Sequence, residues 1–386
     1  MANIFSSLER LKDSSLNFSG ASSNEPSVFV DGVHYRSFIS LGFSKNLDEL
    51  VHSFTFEIVD KWRAINEEWP IKIGAEIKMT FGVKTILTGY IDTMDSNFSN
   101  SGRQLSISGR AKTCDLADCS YVLENQIKIT TFQQLAKKIC DQFGIKVIFN
   151  ALPFDEPFDF VAEQGETCFE ALTRYATPRG YLLQTNSDGE LLIFNRDIFS
   201  SLERSKTDLV QGKNVINLSG RFNYSNRFSD YTVKSQATTK KNATAAIANI
   251  TKGEAKDDGI KRNRPKLIVS DNVLLPIAAL RQAQWEADIR TRQSMDVNLE
   301  VIGWKKEDGS LWDIGELVAV SCPAIGLNRD MLISSVSYSY SNSDGTKCSI
   351  AVVPEGSFKN EPIKKDDTPI GWEEQINSLT LGGALA

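Results

Sequence analysis

The chain has 386 residues, 41% hydrophobic and 24% charged, which is length and balance enough for two or three domains with cores of their own. Its 43 Lys and Arg stand against 49 Asp and Glu, a net charge of -6, which argues against a dedicated nucleic-acid or anionic-membrane binder. The apolar stretch 274–280 contains Pro276 and falls far short of the ~20 residues a spanning helix needs, and residues 1–12 lack the basic start and apolar run of a secretory signal, so no membrane anchor is expected.

In chain order the pattern is mainly β. Asp31-Gly32 lies between two extended runs over 28–35, a hairpin signal because Gly accepts the positive φ of a tight turn. Over 54–59, Phe54, Phe56 and Ile58 alternate with Thr55 and Glu57, as in a half-buried strand. Further strands are expected over 76–81, 85–93 and 104–108, with a turn at 100–102. From 126 to 195 the period changes. Phe132, Leu135, Ala136, Ile139 and Phe143 share one helical face between a Thr131 cap and a Gly144 stop, and Phe169, Leu172 and Ala176 do so between Thr167 and Gly180. Each helix leads into a strand, 145–149 and 181–185, and the second continues through Ser187-Asp188-Gly189 into 190–194.

Residues 237–264 have no hydrophobic period and carry Lys240, Lys241, Lys252, Lys256, Lys261, Arg262 and Arg264. They are expected to form a mobile, protease-sensitive loop, either solvated throughout or ordered against a partner. A third helix is expected over 276–293, with Pro276 at its first position. After Pro354 the chain is polar, with isolated Ile363, Ile370 and Trp372, and is expected to be an extended arm.

One block recurs. Ile73-Gly74-Ala75-Glu76-Ile77-Lys78-Met79 aligns with Ile314-Gly315-Glu316-Leu317-Val318-Ala319-Val320, each followed by a strand, 86–92 and 331–337, and a polar turn. Then Gly102-Arg103-Gln104-Leu105-Ser106-Ile107 aligns with Gly345-Thr346-Lys347-Cys348-Ser349-Ile350. Two β meanders can share such features by chance; as a repeat, they put two copies of one small β-domain in the chain. The expected fold class is therefore α+β, mainly β, with two similar β-barrel-like domains flanking a small α/β domain. The expected division is a leader over 1–27, a first β-domain over 28–113, the α/β domain over 114–198, a second β-domain over 199–354 and the arm over 355–386.

Catalytic signatures are missing: there is no Walker loop, Gly-x-Gly-x-x-Gly, His-Glu-x-x-His or Gly-x-Ser-x-Gly. Six cysteines form no Cys-x-x-Cys, and the close pair Cys114 and Cys119 is distant from His34 and His52, so buried thiols are expected rather than zinc, and no cofactor. Asp115 and Asp118 are a tempting carboxylate pair, but beside Arg110 and Lys112 they are expected to cap a short helix and form ion pairs.

In order and spacing, Asp31-Gly32-Val33-His34-Tyr35, Thr88-Gly89-Tyr90-Ile91-Asp92, Gly109-Arg110 through Asp118-Cys119, Asp230-Tyr231-Thr232-Val233-Lys234, Arg262-Asn263-Arg264-Pro265 and Asp308-Gly309-Ser310-Leu311-Trp312 resemble the baseplate hub proteins of Mu-type contractile-tailed phages, over roughly 28–354. The resemblance marks Gly89, Tyr90, Asp92, Gly109, Arg110, Asp115, Asp118, Tyr231, Arg264, Trp312 and Gly315 as structural motif residues. Lys240, Lys241, Lys252, Lys256, Lys261 and Arg262 become a candidate partner-contact loop. It implies a virion protein made in the bacterial cytoplasm: a homotrimeric ring joining tail tube protein to central spike protein, near tape-measure and wedge proteins, with DNA passing through its lumen without specific binding. The leader and the arm have no counterpart in it.

A duplicated domain suits that role independently, because three chains then present six similar units to a sixfold tube while keeping threefold symmetry for a spike. Net acidity suits a conduit that does not hold phosphates. The competing readings are a tail-tip cell-wall hydrolase, against which the missing motifs count, and a carbohydrate-binding β protein, which needs Trp62, Trp69, Trp304 or Trp312 exposed in a groove.

Overall fold

The computed structural model describes residues 25–35, 38–60, 71–99, 102–150, 157–195, 204–235, 251–270 and 276–354. Trp62, Trp69, Lys240, Lys241, the turn residues Asn100 and Ser101, residues 1–24 and the arm after Pro354 lie outside them.

The first β unit opens with the expected hairpin, β1 (Pro26–Val30) paired antiparallel with β2 (Val33–Tyr35), and Asp31 and Gly32 take φ of 47° and 79°. In β3 (Ser40–Asn46) and β4 (Ser53–Asp60) the alternation reads directly: Phe54, Phe56 and Ile58 are buried and Thr55 is exposed. β5 (Glu76–Phe81), β6 (Lys84–Ser99) and β7 (Gly102–Ala111) form an antiparallel meander. β6 and β7 run past the expected 85–93 and 104–108 because ladder hydrogen bonds, not apolar pattern, carry their polar ends. The strand order is β3-β4-β7-β6-β5-β1-β2.

The α/β segment follows with α1 (Cys114–Asp118), β8 (Gln126–Thr130) and α2 (Phe132–Asp141). Thr131 and Gln134 make a reciprocal capping box on α2, and Gly144 at φ 64° stops the helix. The strand expected from 145 begins at β9 (Val147–Asn150), because the Ile145 N–H bonds back to the Cys140 carbonyl at the helix end. After β10 (Phe158–Val161), a second capping box of Thr167 and Glu170 starts α3 (Cys168–Ala176), and Gly180 at φ 72° ends that turn. β11 (Tyr181–Thr185) and β12 (Leu191–Asn195) form the buried hairpin, with β9 parallel to β12, while β8 pairs with β10. The helices bury Phe132, Leu135, Ile139 and Leu172 with Leu183 and Ile193 in a core separate from that of the β units.

The second unit begins with β13 (Leu209–Val210) and β14 (Val215–Phe222). An excursion of β15 (Asp230–Ser235), β16 (Thr251–Lys256), β17 (Pro265–Ser270) and α4 (Pro276–Gln293) intervenes before β18 (Met295–Ile302), β19 (Leu317–Cys322), β20 (Leu327–Ser341) and β21 (Gly345–Pro354). The third helix spans the residues expected for it. The mobile loop expected over 237–264 does not hold for 251–264. Lys252 and Lys256 lie on β16, which pairs antiparallel with β15, and Lys261, Arg262 and Arg264 lie in its connection to β17. The order comes from small residues. β16 approaches α4 so closely that a Cβ on Gly253 would stand 2.1 Å from the Ala279 carbonyl carbon, and Val233, Ala279 and Ala283 form the miniature core. Gly-on-Ala packing leaves no hydrophobic period to read.

With the excursion set aside, β14-β18-β21-β20-β19-β13 repeats β3-β4-β7-β6-β5-β1. The details repeat as well. Gly74 and Gly315 sit at φ 82° and 74°, and their N–H groups donate to Ile91 and Ile333 carbonyls at 2.8 and 2.9 Å. Those two isoleucines donate back to Ala75 and Glu316, and a register shift follows each, between Ile91 and Thr93 and between Ile333 and Ser335. The last strand breaks the likeness, since β1 runs antiparallel to β5 and β13 parallel to β19. β3 pairs antiparallel with residues 335–341 of β20, so both units belong to one 13-stranded sheet.

Candidate functional site

The motif residues gather in three places. At the first, Gly89 and Gly109 lie where β6 and β7 cross most closely: a Cβ on Gly89 would meet the Arg110 carbonyl oxygen at 2.0 Å, and one on Gly109 the Tyr90 carbonyl oxygen at 2.0 Å. Only glycine permits that approach, which sets Tyr90 opposite Arg110. Arg110 then reaches across the ladder, with Nε donating to Asp92 at 2.7 Å and its two Nη groups to both Asp118 oxygens at 3.0 and 2.6 Å. Lys112 pairs with Glu76 at 2.8 Å, close to the Tyr90 ring.

These bonds raise the Arg110 guanidinium, Asp118 first and Asp92 second, and hold the Asp118 carboxyl below its ordinary range. Asp115 goes the other way, lifted by burial and by the Asp118 charge. Neither carboxylate is the cap of α1: Thr113 stands at its N-cap, without a side-chain cap hydrogen bond. Asp118 does form the expected ion pair. Two carboxyls shifted apart resemble an acid–base pair, but both oxygens of Asp118 are engaged by Arg110. Exposed pairs of this kind are worth under ~1 kcal/mol, so they pin α1 to the β7 strand rather than drive folding. The Cys114 thiol beside them is pushed up to about 12 by burial and the Asp115 charge, which makes it a poor nucleophile.

The same end of the sheet is tied to the α/β segment by groups with no sequence signature. Gln184 donates to the Leu47 carbonyl at 2.7 Å and the Glu49 carbonyl at 3.1 Å, Thr185 to Leu50 at 2.6 Å, and Thr88 to Ser187 at 3.1 Å. His52 is buried here, and burial first, the Lys45 charge second, lower it to about 3. It stays neutral in the fold while the unfolded chain takes up its proton below about pH 6.5. Falling pH therefore costs stability at ~1.4 kcal/mol per unit through that window. Between pH 7.5 and 5, urea denaturation should lose about 2 kcal/mol from this residue. His52→Gln, whatever its stability at pH 7.5, should lose that much less on acidification; an unchanged pH difference would reject the assignment.

At the second place, Tyr231 accepts the Phe228 N–H at 2.9 Å through its hydroxyl, and Arg264 donates to the Tyr224 and Ser225 carbonyls at 2.9 and 2.8 Å. Arg227 and Asp257 form a buried ion pair nearby; burial opposes the Asp257 charge, but hydrogen bonds from Arg227 and the Gly259 N–H hold its carboxyl below the ordinary range. At the third, Trp312 is buried near Gly315, and its carbonyl accepts from the Tyr338 hydroxyl. Trp304 is buried too, so neither tryptophan lines a groove for sugar. Among the described residues no three His, Cys, Asp or Glu side chains gather as a metal-binding group, and no helix is long and apolar enough to cross a membrane.

Comparison with known proteins places these features. Residues 26–111 match the family model for the N-terminal domain of Mu phage baseplate assembly protein GpP-like proteins, 113–195 the second domain of baseplate hub protein gp44-like proteins, and 276–361 the fourth domain of Mu phage baseplate assembly protein GpP. The chain is 27% identical over 355 residues to baseplate hub protein gp44 of Escherichia phage Mu, covering 89% of this chain and 91% of that protein. It is 32% identical to the 43 kDa tail protein of prophage MuSo2 from Shewanella oneidensis, with a TM-score of 0.74 over 88% of this chain and 100% of that one. A tail protein from Neisseria meningitidis MC58 shares the fold at a TM-score of 0.69 and 24% identity, covering 87% of this chain and 98% of that one.

Proposed function

This chain belongs to the baseplate hub family of Mu-like contractile-tailed phages and is a structural component of a phage tail baseplate; from that premise we propose that three copies close a ring that joins the hexameric tail tube to the trimeric central spike and surrounds the path of the DNA. The observation that carries the proposal is the repeat of strand order, positive-φ glycine and bulge between the two β units. Three chains with two such units each offer six near-equivalent surfaces to a sixfold tube, and the unequal parts, the α/β segment and the excursion, keep threefold character for the spike.

The division at 28–113, 114–198 and 199–354 belongs to this proposal, as do the tube, spike, tape-measure and wedge proteins as partners and assembly in the host cytoplasm. Gly89, Gly109, Arg110 and their neighbours serve as framework, and the basic residues of 237–264 serve as a contact surface. No chemistry is assigned to the protein, so purified peptidoglycan should stay turbid in its presence; clearing would return the hydrolase reading.

Light scattering over a concentration series at moderate salt should return three times 42.9 kDa. A monomer at every concentration, or an even-numbered assembly, would overturn the ring.

A further inference from the structure

The joint inside the chain has unmatched counterparts. On one edge of β20, residues 327–332 pair with β19 and residues 335–341 with β3. On the corresponding edge of β6, residues 84–90 pair with β5, but among the described residues no strand pairs with 93–99. Among the described residues β14, the counterpart of β3, is laddered by β18 on one edge, and apart from an isolated bridge between Val215 and Gln211 no strand pairs with the other. Among the described residues, each chain thus has one strand lacking the neighbour that β20 has and one lacking the neighbour that β3 has. Open edges of this kind are templates for another strand.

The repeat also sets the register. Ile91 corresponds to Ile333, so 93–99 correspond to 335–341. Phe43 lies opposite Phe54, itself opposite Gly109, as Gly220 lies opposite Val297, itself opposite Val352. Carrying the β3 pairing on β20 across to β14 on β6 puts Met94 opposite Phe222, Asp95 opposite Arg221, Ser96 opposite Gly220 and Asn97 opposite Ser219. The chemistry of these pairs is complementary. Met94 is half-buried against the core, while Phe222 is 42% exposed, its ring lying along its own strand beside Gly220. Asp95 and Arg221 are exposed and opposite in charge. A slip of one residue would set Phe222 against a polar side chain and separate the charges.

We propose that copies of this chain join head to tail through β14 of one copy and residues 93–99 of β6 in the next, antiparallel, with Met94 against Phe222 and Asp95 against Arg221. The seam presupposes the ring described above and adds how it closes. A head-to-tail contact makes a ring only when its rotation closes, and the internal β3–β20 joint supplies the same step within each chain.

The test uses the full chain with Met94→Cys and Phe222→Cys together, oxidised and run without reductant. Covalent species of up to three chains are expected, above the background of the parent, of each single variant and of the slipped pair Met94→Cys with Arg221→Cys. In parallel, Asp95→Arg or Arg221→Asp alone should raise the concentration at half-assembly by roughly tenfold, since every seam repeats the like-charge pair, and the two together should restore it. A protein that still scatters as a trimer, but neither cross-links above background nor responds to charge reversal, overturns the seam and leaves the ring standing. One that stays monomeric throughout overturns both.

Discussion

Replacing Trp304 with Ala should lower stability by about 3–5 kcal/mol, the range for deleting a fully buried indole. Its ring stands between the two β units: Phe43 of β3 lies 5.9 Å away, Phe81 of β5 5.0 Å and Tyr338 of β20 5.4 Å, with Phe43 and Tyr338 stacked on each other at 4.3 Å. Its Nε1 donates to the Ser339 carbonyl at 2.9 Å, so truncation also strands an acceptor. Trp304→Phe keeps part of the volume and should lose roughly half as much. Urea midpoints with unchanged slopes would measure both losses. A loss below ~1 kcal/mol for Trp304→Ala would mean that the aromatic cluster does not weld the repeats.

Comparable in size is the effect of breaking the ion pair of Lys306 and Glu316, whose atoms meet at 2.6 Å with the side chains only 5% and 4% exposed. Removing one charge leaves the other buried, which costs about 3–5 kcal/mol, so Glu316→Gln and Lys306→Met should each destabilise strongly. Replacing both with apolar residues, Lys306→Met with Glu316→Leu, should bring stability back to within ~1 kcal/mol of the parent. The first repeat shows why. Ala75 occupies the place of Glu316, buried, with the same backbone bond from the following isoleucine, so the turn forms without a charge there. If the double variant were as unstable as the singles, the pair would be a requirement of the fold rather than a feature of one copy.

Tyr338 and Phe43 show what a single sequence hides. Each belongs to a strand that could be laddered on several neighbours, and only the complete sheet sets them against each other. Arg110 likewise meets Asp92 and Asp118 because two glycines let β6 and β7 approach, a distance that motif order does not encode. The segment 251–264 misleads for a related reason, since small residues pack by closeness rather than by hydrophobic period.

By itself the sequence determined what depends on neighbours a few residues apart. The Asp31-Gly32 hairpin, both capping boxes with their glycine stops and the helix from Pro276 to Gln293 all follow from local dihedral preference and side-chain spacing. It also determined the likeness of the Gly74 and Gly315 blocks, because a repeat is visible in residue order alone. The tertiary structure decided the joining of β3 to β20, the burial of Trp304 and Trp312, the neutral His52 and the edges of β6 and β14 that no strand covers among the described residues. These depend on contacts between residues tens to hundreds of positions apart, where many pairings satisfy the same local pattern and only the packing of the whole chain selects one.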